Sequence, residues 1–268
     1  MWSYNNFPIF IWQINVFKIL KIIFNVSKKK IKITGIVPVK TNSERLKKKN
    51  LRQFANTTLF ELKLCQLSKT KNFDSLYVSS ESSKVLNIAK KYGFQTHKRD
   101  PYYSTSSVPM SEVYRYVASE IEVEHIAWIN ITNPLAEAKI YDDAVKIYEN
   151  VYQKFDCLLS AIEVRENFFY KNKPINFKRS PWPSSQDLNP LITLPFVISI
   201  LKRKNLIKWG SCVGAKPYFY KLDSIVAKDI DNIHDFLFCE SVYKEKWFPL
   251  YWSLKLIKKI NLNRFLRN

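Results

Sequence analysis

Residues Ile31 to Leu51 read IKITGIVPVKTNSERLKKKNL, an apolar run followed by a polar loop rich in cations. Most of the apolar residues up to Val39 are β-branched, and such a short run is typical of a strand buried on both faces. The loop carries one acid, Glu44, and five cationic side chains: Lys40, Arg45, Lys47, Lys48 and Lys49. Because open parallel sheets bind ligands beyond the carboxyl ends of their strands, we predict that this loop holds phosphates.

The loop is not a Walker A site, since no glycine lies between Gly35 and Gly93. It resembles the signature of the cytidylyltransferases that activate 2-keto sugar acids, the CMP-sialic acid and CMP-Kdo synthetases. In that family the first strand ends Ile-Pro-Ala-Arg, and Ser-Lys-Arg-Leu-Pro-x-Lys-Asn-Leu follows. Residues 37–40 (Val-Pro-Val-Lys), 43–46 (Ser-Glu-Arg-Leu) and 49–51 (Lys-Asn-Leu) fall in step with it without a gap.

Length and composition fit one α/β domain of ordinary size, because the chain has 268 residues of which 46% are hydrophobic. The cysteines are widely spaced and form no C-x-x-C pair, which indicates neither a zinc site nor a disulfide framework. Reduced thiols in a cytoplasmic protein are the expectation for these four residues: Cys65, Cys157, Cys212 and Cys239.

The net charge of +20 is concentrated at the ends, because residues 1–32 and 243–268 supply twelve of the twenty charges. Residues 1–30 are aromatic and aliphatic, but polar residues interrupt them. We therefore expect neither a membrane-spanning helix nor a secretory signal there. For both ends, a basic helix on an anionic membrane surface and an extension packed on the domain remain open.

Strands and helices alternate after the loop, which predicts a mostly parallel sheet. We expect helices over residues 57–68, 111–119 and 137–152, a helix that ends at Tyr92, and strands over residues 76–79, 126–131 and 157–163. The second strand runs into Ser80 and Glu81, where the family has Ser-Thr-Asp with an acid that can serve the metal site. The alternative is that Ser80 caps a helix with Glu81 in its first turn.

Two further loops resemble the family. Residues 99–106 look like its Arg-Pro loop. Residues 130–135 (Asn-Ile-Thr-Asn-Pro-Leu) resemble its Leu-Gln-Pro-Thr-Ser-Pro-Leu-Arg, which contacts the nucleotide and the sugar acid. The resemblance implies binding roles for Thr132 and Asn133. From the residues alone, Asn133 could instead cap the next helix, with Pro134 in its first turn.

The proline-rich span 168–195 has no helical period. Its segment 184–190 (Ser-Ser-Gln-Asp-Leu-Asn-Pro) resembles the family's Arg-Arg-Gln-Asp-Leu-Pro-Pro, in an arm that reaches across a dimer, which implies a binding role for Gln186. Both arginines are serines here, so Lys178 or Arg179 is the nearest candidate to hold an anionic substrate. A surface loop without a catalytic role is the alternative.

An acidic pair stands near the far end of the chain, in a segment that resembles the family's closing Asp-Ile-Asp-x-x-x-Asp-x-x-x-Ala-Glu. Asp229 and Asp231 stand at i and i+2, so in an extended segment they point the same way and can share one hard cation, directly or through water. In the family these acids meet the phosphate-bound magnesium. Asp231 could also cap the helix 232–243, which is compatible with metal binding.

The series of motifs spans residues 32–242 and implies a three-layer α/β/α, Rossmann-like nucleotide-binding domain. The implied reaction is that of CTP with a sialic acid-like 2-keto sugar acid to give the CMP-sugar and pyrophosphate. The implied catalytic residues are Lys49, Arg45 and Asp231. The implied nucleotide-binding residues are Lys40, Ser43, Asn50, Glu81, Thr132, Asn133 and Gln186. The implied Mg²⁺ ligands are Asp229 and Asp231.

We expect an N-terminal extension over residues 1–30, a catalytic domain over residues 31–243 with an arm at about 165–195, and a basic aromatic tail over residues 244–268. A cytoplasmic homodimer is expected, with membrane-surface contact through the termini left open and no nucleic-acid partner. Two alternatives stand beside the enzyme. The departures from the family motifs allow a member that has lost activity and acts as a binding or scaffold protein. The basic ends allow a peripheral membrane or nucleic-acid-binding module.

Overall fold

The structure, a computed structural model, describes residues 31–43 and 46–246. The expectations for Glu44, Arg45 and most of both ends lie outside these residues. The strands are β1 (Ile33–Val39), β2 (Gln53–Phe54), β3 (Thr57–Thr58), β4 (Ser75–Ser80), β5 (Gln95–Lys98), β6 (His125–Ile129), β7 (Cys157–Val164), β8 (Phe169–Tyr170), β9 (Lys173–Pro174), β10 (Leu191–Thr193), β11 (Ile198–Lys202) and β12 (Pro217–Lys221). The helices are α1 (Leu59–Leu67), α2 (Ser83–Lys91), α3 (Met110–Glu120), α4 (Ala138–Val151), α5 (Arg203–Trp209) and α6 (described over residues 233–246).

The main sheet has eight strands, in the order β5-β4-β1-β6-β11-β7, with β12 and β10 both paired to β7. The pairs β4–β5, β1–β4, β1–β6 and β7–β12 are parallel. Strand β11 runs antiparallel to both of its neighbours, and β10 runs antiparallel to β7. The prediction of a mostly parallel sheet is therefore confirmed.

Strand β1 lies in the middle of this sheet, and its apolar residues are buried on both faces. Gly35 fits because its neighbours come very close. A Cβ atom at this position would lie 2.6 Å from Leu76 Cδ2 and 3.2 Å from Ile129 Cδ1. The apolar run at the start of the domain is thus a central strand, which places the loop after it at the middle of the sheet edge.

Helices cover the two faces of the sheet. On one face α3 packs on α5, with Val117 and Leu206 in one cluster with Trp128 of β6. On the other face α1 packs on α4, and His125 of β6 pairs with the Tyr148 hydroxyl of α4 at 2.9 Å. The predicted three layers are confirmed. Among the described residues, no helix combines the length and apolar character needed to cross a membrane.

The helix boundaries correct three alternatives that the sequence left open. Ser82, and not Ser80, caps α2 by accepting a hydrogen bond from Val85 N. Helix α4 begins at Ala138 with Glu137 in the cap position, so Asn133 is not its cap. The cap of α6 is Asn232, whose Oδ1 accepts from the backbone N–H groups of residues 234 and 235. Asp231 is therefore not the helix cap.

Helix α1 also begins two residues later than predicted. Thr57 and Thr58 form a short strand with β2, and the Thr58 hydroxyl accepts a hydrogen bond from Glu61 N at 3.1 Å. The same hydroxyl also donates a hydrogen bond to the Glu61 carboxylate at 2.9 Å. This capping pair ends the connection from β1 and starts the helix that supports the site from behind.

Candidate active site

A cleft of about 610 Å³ opens at the carboxyl ends of the parallel strands. Its lining comes from four segments: the loop after β1, the stretch from Arg99 to Val113, the residues that follow β6, and the segment before α6. Three cations and two carboxylates line it: Lys40, Lys49, Arg99, Asp229 and Asp231. This is the edge of the sheet where open α/β proteins bind ligands.

The loop after β1 is shaped without glycine. Lys48 adopts the left-handed conformation, with φ 54° and ψ 31°, and a short 3₁₀ turn over Lys49–Leu51 follows it. Asn50 is buried, and its side-chain N–H donates to the Lys40 carbonyl at 2.9 Å. One amide thus ties the two ends of the loop together. A non-glycine residue in this backbone region costs free energy and is typical of functional loops.

Lys49 joins this loop to the acidic segment. Its ammonium donates a hydrogen bond to the backbone carbonyl of Ile230, which is the residue between the two aspartates. The Ile230 N–H in turn donates to the Thr132 carbonyl at 2.9 Å. Three segments that are far apart in sequence therefore meet at the cleft, whose lining includes Lys49, Asp229 and Asp231.

Glu81 has a different position, because it is not among the residues that line the cleft. One carboxylate oxygen accepts hydrogen bonds from the Thr41 N–H at 2.8 Å and the Thr41 hydroxyl at 2.7 Å. The other accepts from Ser104 at 3.0 Å and from the Arg99 guanidinium at 3.3 Å. Burial by itself raises the pKa of Glu81, but the hydrogen bonds outweigh it, those from Thr41 most, and lower the pKa to about 2.

Arg99 completes this internal network. Its side chain is buried and donates to the Val39 carbonyl at 2.7 Å and to the Ser104 hydroxyl at 3.1 Å. Arg99 and Glu81 together fasten the start of the cationic loop to the turn Pro101–Ser104. The carboxylate that follows β4 thus helps to build the wall of the cleft.

The acidic segment lies outside the helices and strands, just before α6. The first turn of that helix is capped by Asn232 and Asp235, since Asp235 Oδ2 accepts from the N–H groups of Asp231 and Asn232. Within the described residues, no group of three or more His, Cys, Asp or Glu side chains forms a complete protein cage for a metal. Mg²⁺ needs no such cage, since it is usually bound by one or two carboxylates, water and substrate phosphates. Asp229 and Asp231 fit that donor set.

The remaining predicted residues divide between the cleft and other positions. Ser43 and Thr132 line the cleft. Asn133 lies behind it, fully buried, and its side-chain N–H group donates to the carbonyls of Ala227 at 3.0 Å and Pro195 at 3.3 Å. Gln186 is exposed in the 3₁₀ turn Ser185–Asp187 of the arm, away from the cleft lining. The role of each as a ligand of the nucleotide stays a prediction.

Other lining residues received no role from the sequence. Tyr103 and Ser104 belong to the segment 99–106. Its resemblance to the family's Arg-Pro loop is the sequence feature that could have placed them in the site. Tyr103 also stacks on Tyr116 of α3, with ring centroids 3.9 Å apart. Met110 and Val113 at the start of α3 add an apolar wall. Nothing in their sequence pattern separates them from ordinary helix residues.

A family model described as Cytidylyltransferase matches residues 34–186 of this chain, from β1 into the arm. The chain belongs to the cytidylyltransferase family. The matched region contains the cationic loop, Glu81, Arg99 and Thr132. The acidic segment at residues 229–231 lies beyond it, and the structure brings that segment to the same cleft.

Curated relatives of this cytidylyltransferase are distant. N-acylneuraminate cytidylyltransferase A of Danio rerio is 24% identical over 209 residues, which cover 74% of this chain and 48% of the relative, so the chain spans about half of that protein's length. Post-translational flagellin modification protein B of Campylobacter coli is 24% identical over 76% of this chain and 92% of its own length. Pseudaminic acid cytidylyltransferase of Campylobacter jejuni is 22% identical over 78% of this chain and 95% of its own length.

Solved structures share the fold of this cytidylyltransferase. CMP:2-keto-3-deoxy-manno-octonic acid synthetase complexed with CTP superposes with a TM-score of 0.61 at 8% identity, covering 80% of this chain and 99% of that one. The 4-diphosphocytidyl-2C-methyl-D-erythritol synthase of Anaerococcus prevotii superposes with a TM-score of 0.56 at 10% identity, covering 81% and 100%. These similarities establish the α/β architecture.

Proposed function

We propose that the chain transfers the cytidylyl group of CTP to a sialic acid-like 2-keto sugar acid and releases pyrophosphate. The observation that carries this proposal is the hydrogen bond from Lys49 to Ile230, because it joins the cationic loop to the residue between Asp229 and Asp231 within one cleft. A triphosphate needs cationic side chains to bind its oxygens, and its metal ion needs carboxylates close by. Membership of the cytidylyltransferase family supports CTP as the nucleotide.

In the proposed reaction, the anomeric hydroxyl oxygen of the sugar acid attacks the α-phosphorus of CTP. A bond forms between these two atoms, the bond from the α-phosphorus to the pyrophosphate oxygen breaks, and the hydroxyl proton is released. Lys40 and Lys49, with Arg45 as predicted, hold the triphosphate, while Ser43 donates a hydrogen bond to it. Asn50 keeps the loop closed through Lys40. Positioning and charge neutralisation supply most of the acceleration in such transfers.

Asp229 and Asp231 are proposed to hold Mg²⁺, because both carboxylates line the cleft beside Lys49. Bound Mg²⁺ would offset the negative charge of the phosphate oxygens. Glu81 is proposed to serve the same site indirectly. Its carboxylate fixes the Thr41 backbone directly after Lys40, and so it shapes the loop that receives the phosphates.

A sugar acid as the acceptor is supported by the relatives whose names specify N-acylneuraminate and pseudaminic acid. Both are 2-keto sugar acids with a carboxylate beside the anomeric carbon. The proposed acceptor is therefore a member of this class of acids, and a panel of 2-keto sugar acids tests which one is used.

A homodimer formed through the arm is proposed as well. The arm exposes large apolar side chains, which are Phe169, Tyr170, Ile175 and Trp182, at 52% to 67% of their surface. Exposed apolar clusters of this kind mark protein interaction sites. Sedimentation of the purified chain tests the assembly, and a monomer at micromolar concentration would contradict it.

The experiment that tests the function measures pyrophosphate release from CTP and Mg²⁺ with a panel of 2-keto sugar acids. We expect release with at least one of them, and we expect Lys49→Ala and Asp231→Ala each to abolish it while the far-UV CD spectrum stays that of the wild type. Lys47→Ala is the matched control for the loop, because Lys47 is exposed and absent from the cleft lining. Asp143→Ala on the surface of α4 is the control for the acid.

Two outcomes would contradict the proposal. Wild-type rates in either purified cleft variant would remove the proposed roles of these residues. Binding of CTP by the wild type, without pyrophosphate release for any acid in the panel, would support the alternative of a member that has lost catalysis and retains binding.

A further inference from the structure

Lys63 of α1 is a lysine without exposed surface, in the layer of the fold behind the cleft. Its ammonium donates to the Asn133 carbonyl at 2.9 Å, to the Ala136 carbonyl at 3.3 Å and to the Tyr141 hydroxyl oxygen at 2.5 Å. It also lies 4.9 Å from the centroid of the Tyr141 ring. All three protons of the ammonium therefore have an acceptor.

The charge environment of Lys63 is unusual, because no carboxylate is among its hydrogen-bond partners in the described part of the chain. The titratable side chain among its hydrogen-bond partners is Tyr141, and burial raises the pKa of Tyr141, so that the hydroxyl stays neutral. Glu137, which follows the loop in sequence, pairs with Lys246 at 2.7 Å on the surface. Burial lowers the pKa of Lys63 to about 7. A buried ammonium without a counter-charge is costly for the fold.

The loop that Lys63 holds leads directly to the cleft. Thr132, next to Asn133, lines the cleft and accepts a hydrogen bond from the Ile230 N–H. The Asn133 side chain donates to the Ala227 carbonyl at 3.0 Å, at the start of the acidic segment. Two short connections thus run from the carbonyl groups that Lys63 binds to the backbone around Asp229 and Asp231.

We propose that Lys63 is a positioning residue, whose ammonium holds the loop over residues 131–136 in the shape that places Thr132 and the two cleft aspartates. When the ammonium loses a proton, the neutral amine still donates to the two carbonyls and accepts a hydrogen bond from the Tyr141 hydroxyl. The hydrogen bonds to the Asn133 and Ala136 carbonyls then lose their charge assistance and weaken, and the loop loosens. This inference rests on the proposed function for its activity measurement and stands on the structure alone for its NMR measurement.

The first measurement follows ¹³Cε-labelled lysine and backbone amide resonances by NMR between pH 6 and 9. We expect one lysine resonance, absent in Lys63→Met, to titrate near pH 7. The amides of Asn133, Ala136 and Ile230 should shift with the same midpoint. If that resonance stays constant over this range, or if it titrates while these three amides do not move, the proposal is wrong. No turnover is needed for this result.

The second measurement is the pH profile of pyrophosphate release. We expect kcat to fall as the pH rises through about 7 in the wild type. In Lys63→Met this inflection should be absent, kcat should fall about tenfold, and the Mg²⁺ concentration for half-maximal activity should rise. The KM for CTP should change less, because the hydrogen bonds of Lys63 go to the Asn133 and Ala136 carbonyls and to Tyr141, and not to Lys40 or Lys49. Retention of the wild-type inflection in this variant would overturn the proposal.

Gln66→Met is the matched control. Gln66 lies one turn along α1, is also buried, and donates to the Pro134 carbonyl of the same loop at 2.6 Å, but it does not titrate. This variant should lower the melting temperature and keep the pH inflection. If the inflection is lost in both variants, it reports the packing of the loop and not the protonation of Lys63, and the proposal is wrong.

Tyr141→Phe provides a second route if Lys63→Met does not fold. It removes one acceptor and leaves the lysine, so the midpoints of the Lys63 resonance and of the loop amides should move together. Independent movement would contradict the coupling. If the wild type releases no pyrophosphate but the lysine and the Ile230 amide titrate together, the positioning inference holds and the proposed function fails.

Discussion

Glu81 directly follows β4 and Asp231 lies just before α6, and the fold uses these two carboxylates differently. Glu81 is covered by hydrogen bonds from Thr41, Arg99 and Ser104 and takes no part in the cleft lining. Asp231 lines the cleft beside Asp229. Glu81 therefore stabilises the wall of the cleft, whereas Asp231 is placed to contact a ligand in the cleft. Their substitutions should therefore affect different measurements.

The largest effect is expected for Asp231→Asn, which removes a charge from the cleft and keeps the size of the side chain. We expect kcat/KM for pyrophosphate release to fall at least about 100-fold, because a preorganised charge at a reacting phosphate has an effect of this order. The melting temperature should stay near that of the wild type, since Asn232 and not Asp231 caps α6. A large loss of stability would show that Asp231 is a structural residue like Glu81.

The next effect concerns the metal and Asp229→Asn. Chelation of Mg²⁺ should stop pyrophosphate release in the wild type, and this variant should need several times more Mg²⁺ for half-maximal activity, since one of two proposed ligands is weakened. Glu81→Gln is the comparison variant and should leave the Mg²⁺ requirement unchanged. An increased requirement in Glu81→Gln would place Glu81 in the metal site and remove the contrast.

Glu81→Gln should instead act on stability. Replacing a carboxylate that accepts several hydrogen bonds should cost about 2 kcal/mol in the free energy of unfolding at pH 7. The lowered pKa of Glu81 stabilises the folded state above the ordinary value of 4.5, and this contribution is lost as the pH falls from 4.5 towards 2. Urea unfolding between pH 7 and 3 should therefore show a difference between wild type and variant that shrinks on acidification. A constant difference would contradict the assigned pKa.

The smallest effect is expected for Thr41→Val, which removes one side-chain hydrogen bond to Glu81 and keeps the backbone bond. We expect a loss of about 1 kcal/mol in unfolding free energy and a change in pyrophosphate release of no more than about twofold. Thermal unfolding and the steady-state assay measure both. A loss of activity as large as that of Asp231→Asn would mean that Thr41 itself contacts the substrate.

Much of the fold could be predicted from local patterns. The β-branched run at Ile33–Val39 had to be buried on both faces, and the alternation of strands and helices indicated a mostly parallel sheet. The edge of the sheet that carries the cleft followed from these two features. Helix starts were less accurate, because Thr58, Ser82 and Asn232 compete with neighbouring Ser, Asn and Asp residues that cap helices equally well.

The site was only partly predictable. The i and i+2 spacing of Asp229 and Asp231 indicated a shared ligand, but their approach to Lys49 joins residues 181 positions apart in sequence. Glu81 matched a metal-site position in the family pattern, and its hydrogen bonds from Thr41 could not be seen in that pattern. Lys63 stands between Leu62 and Leu64 in α1, a helix whose residues are mostly buried, although a lysine is normally read as a surface residue.

The sequence by itself thus determined the alternation of strands and helices, the cationic loop and the residue types available for phosphate chemistry, because hydrophobic periodicity and local spacing are properties of short segments. Only the tertiary structure decided that Asp231 lines the cleft, that Glu81 is hydrogen-bonded within its wall, and that Lys63 is buried behind it. Those choices depend on hydrogen-bond partners and burial supplied by distant segments, which no local pattern specifies.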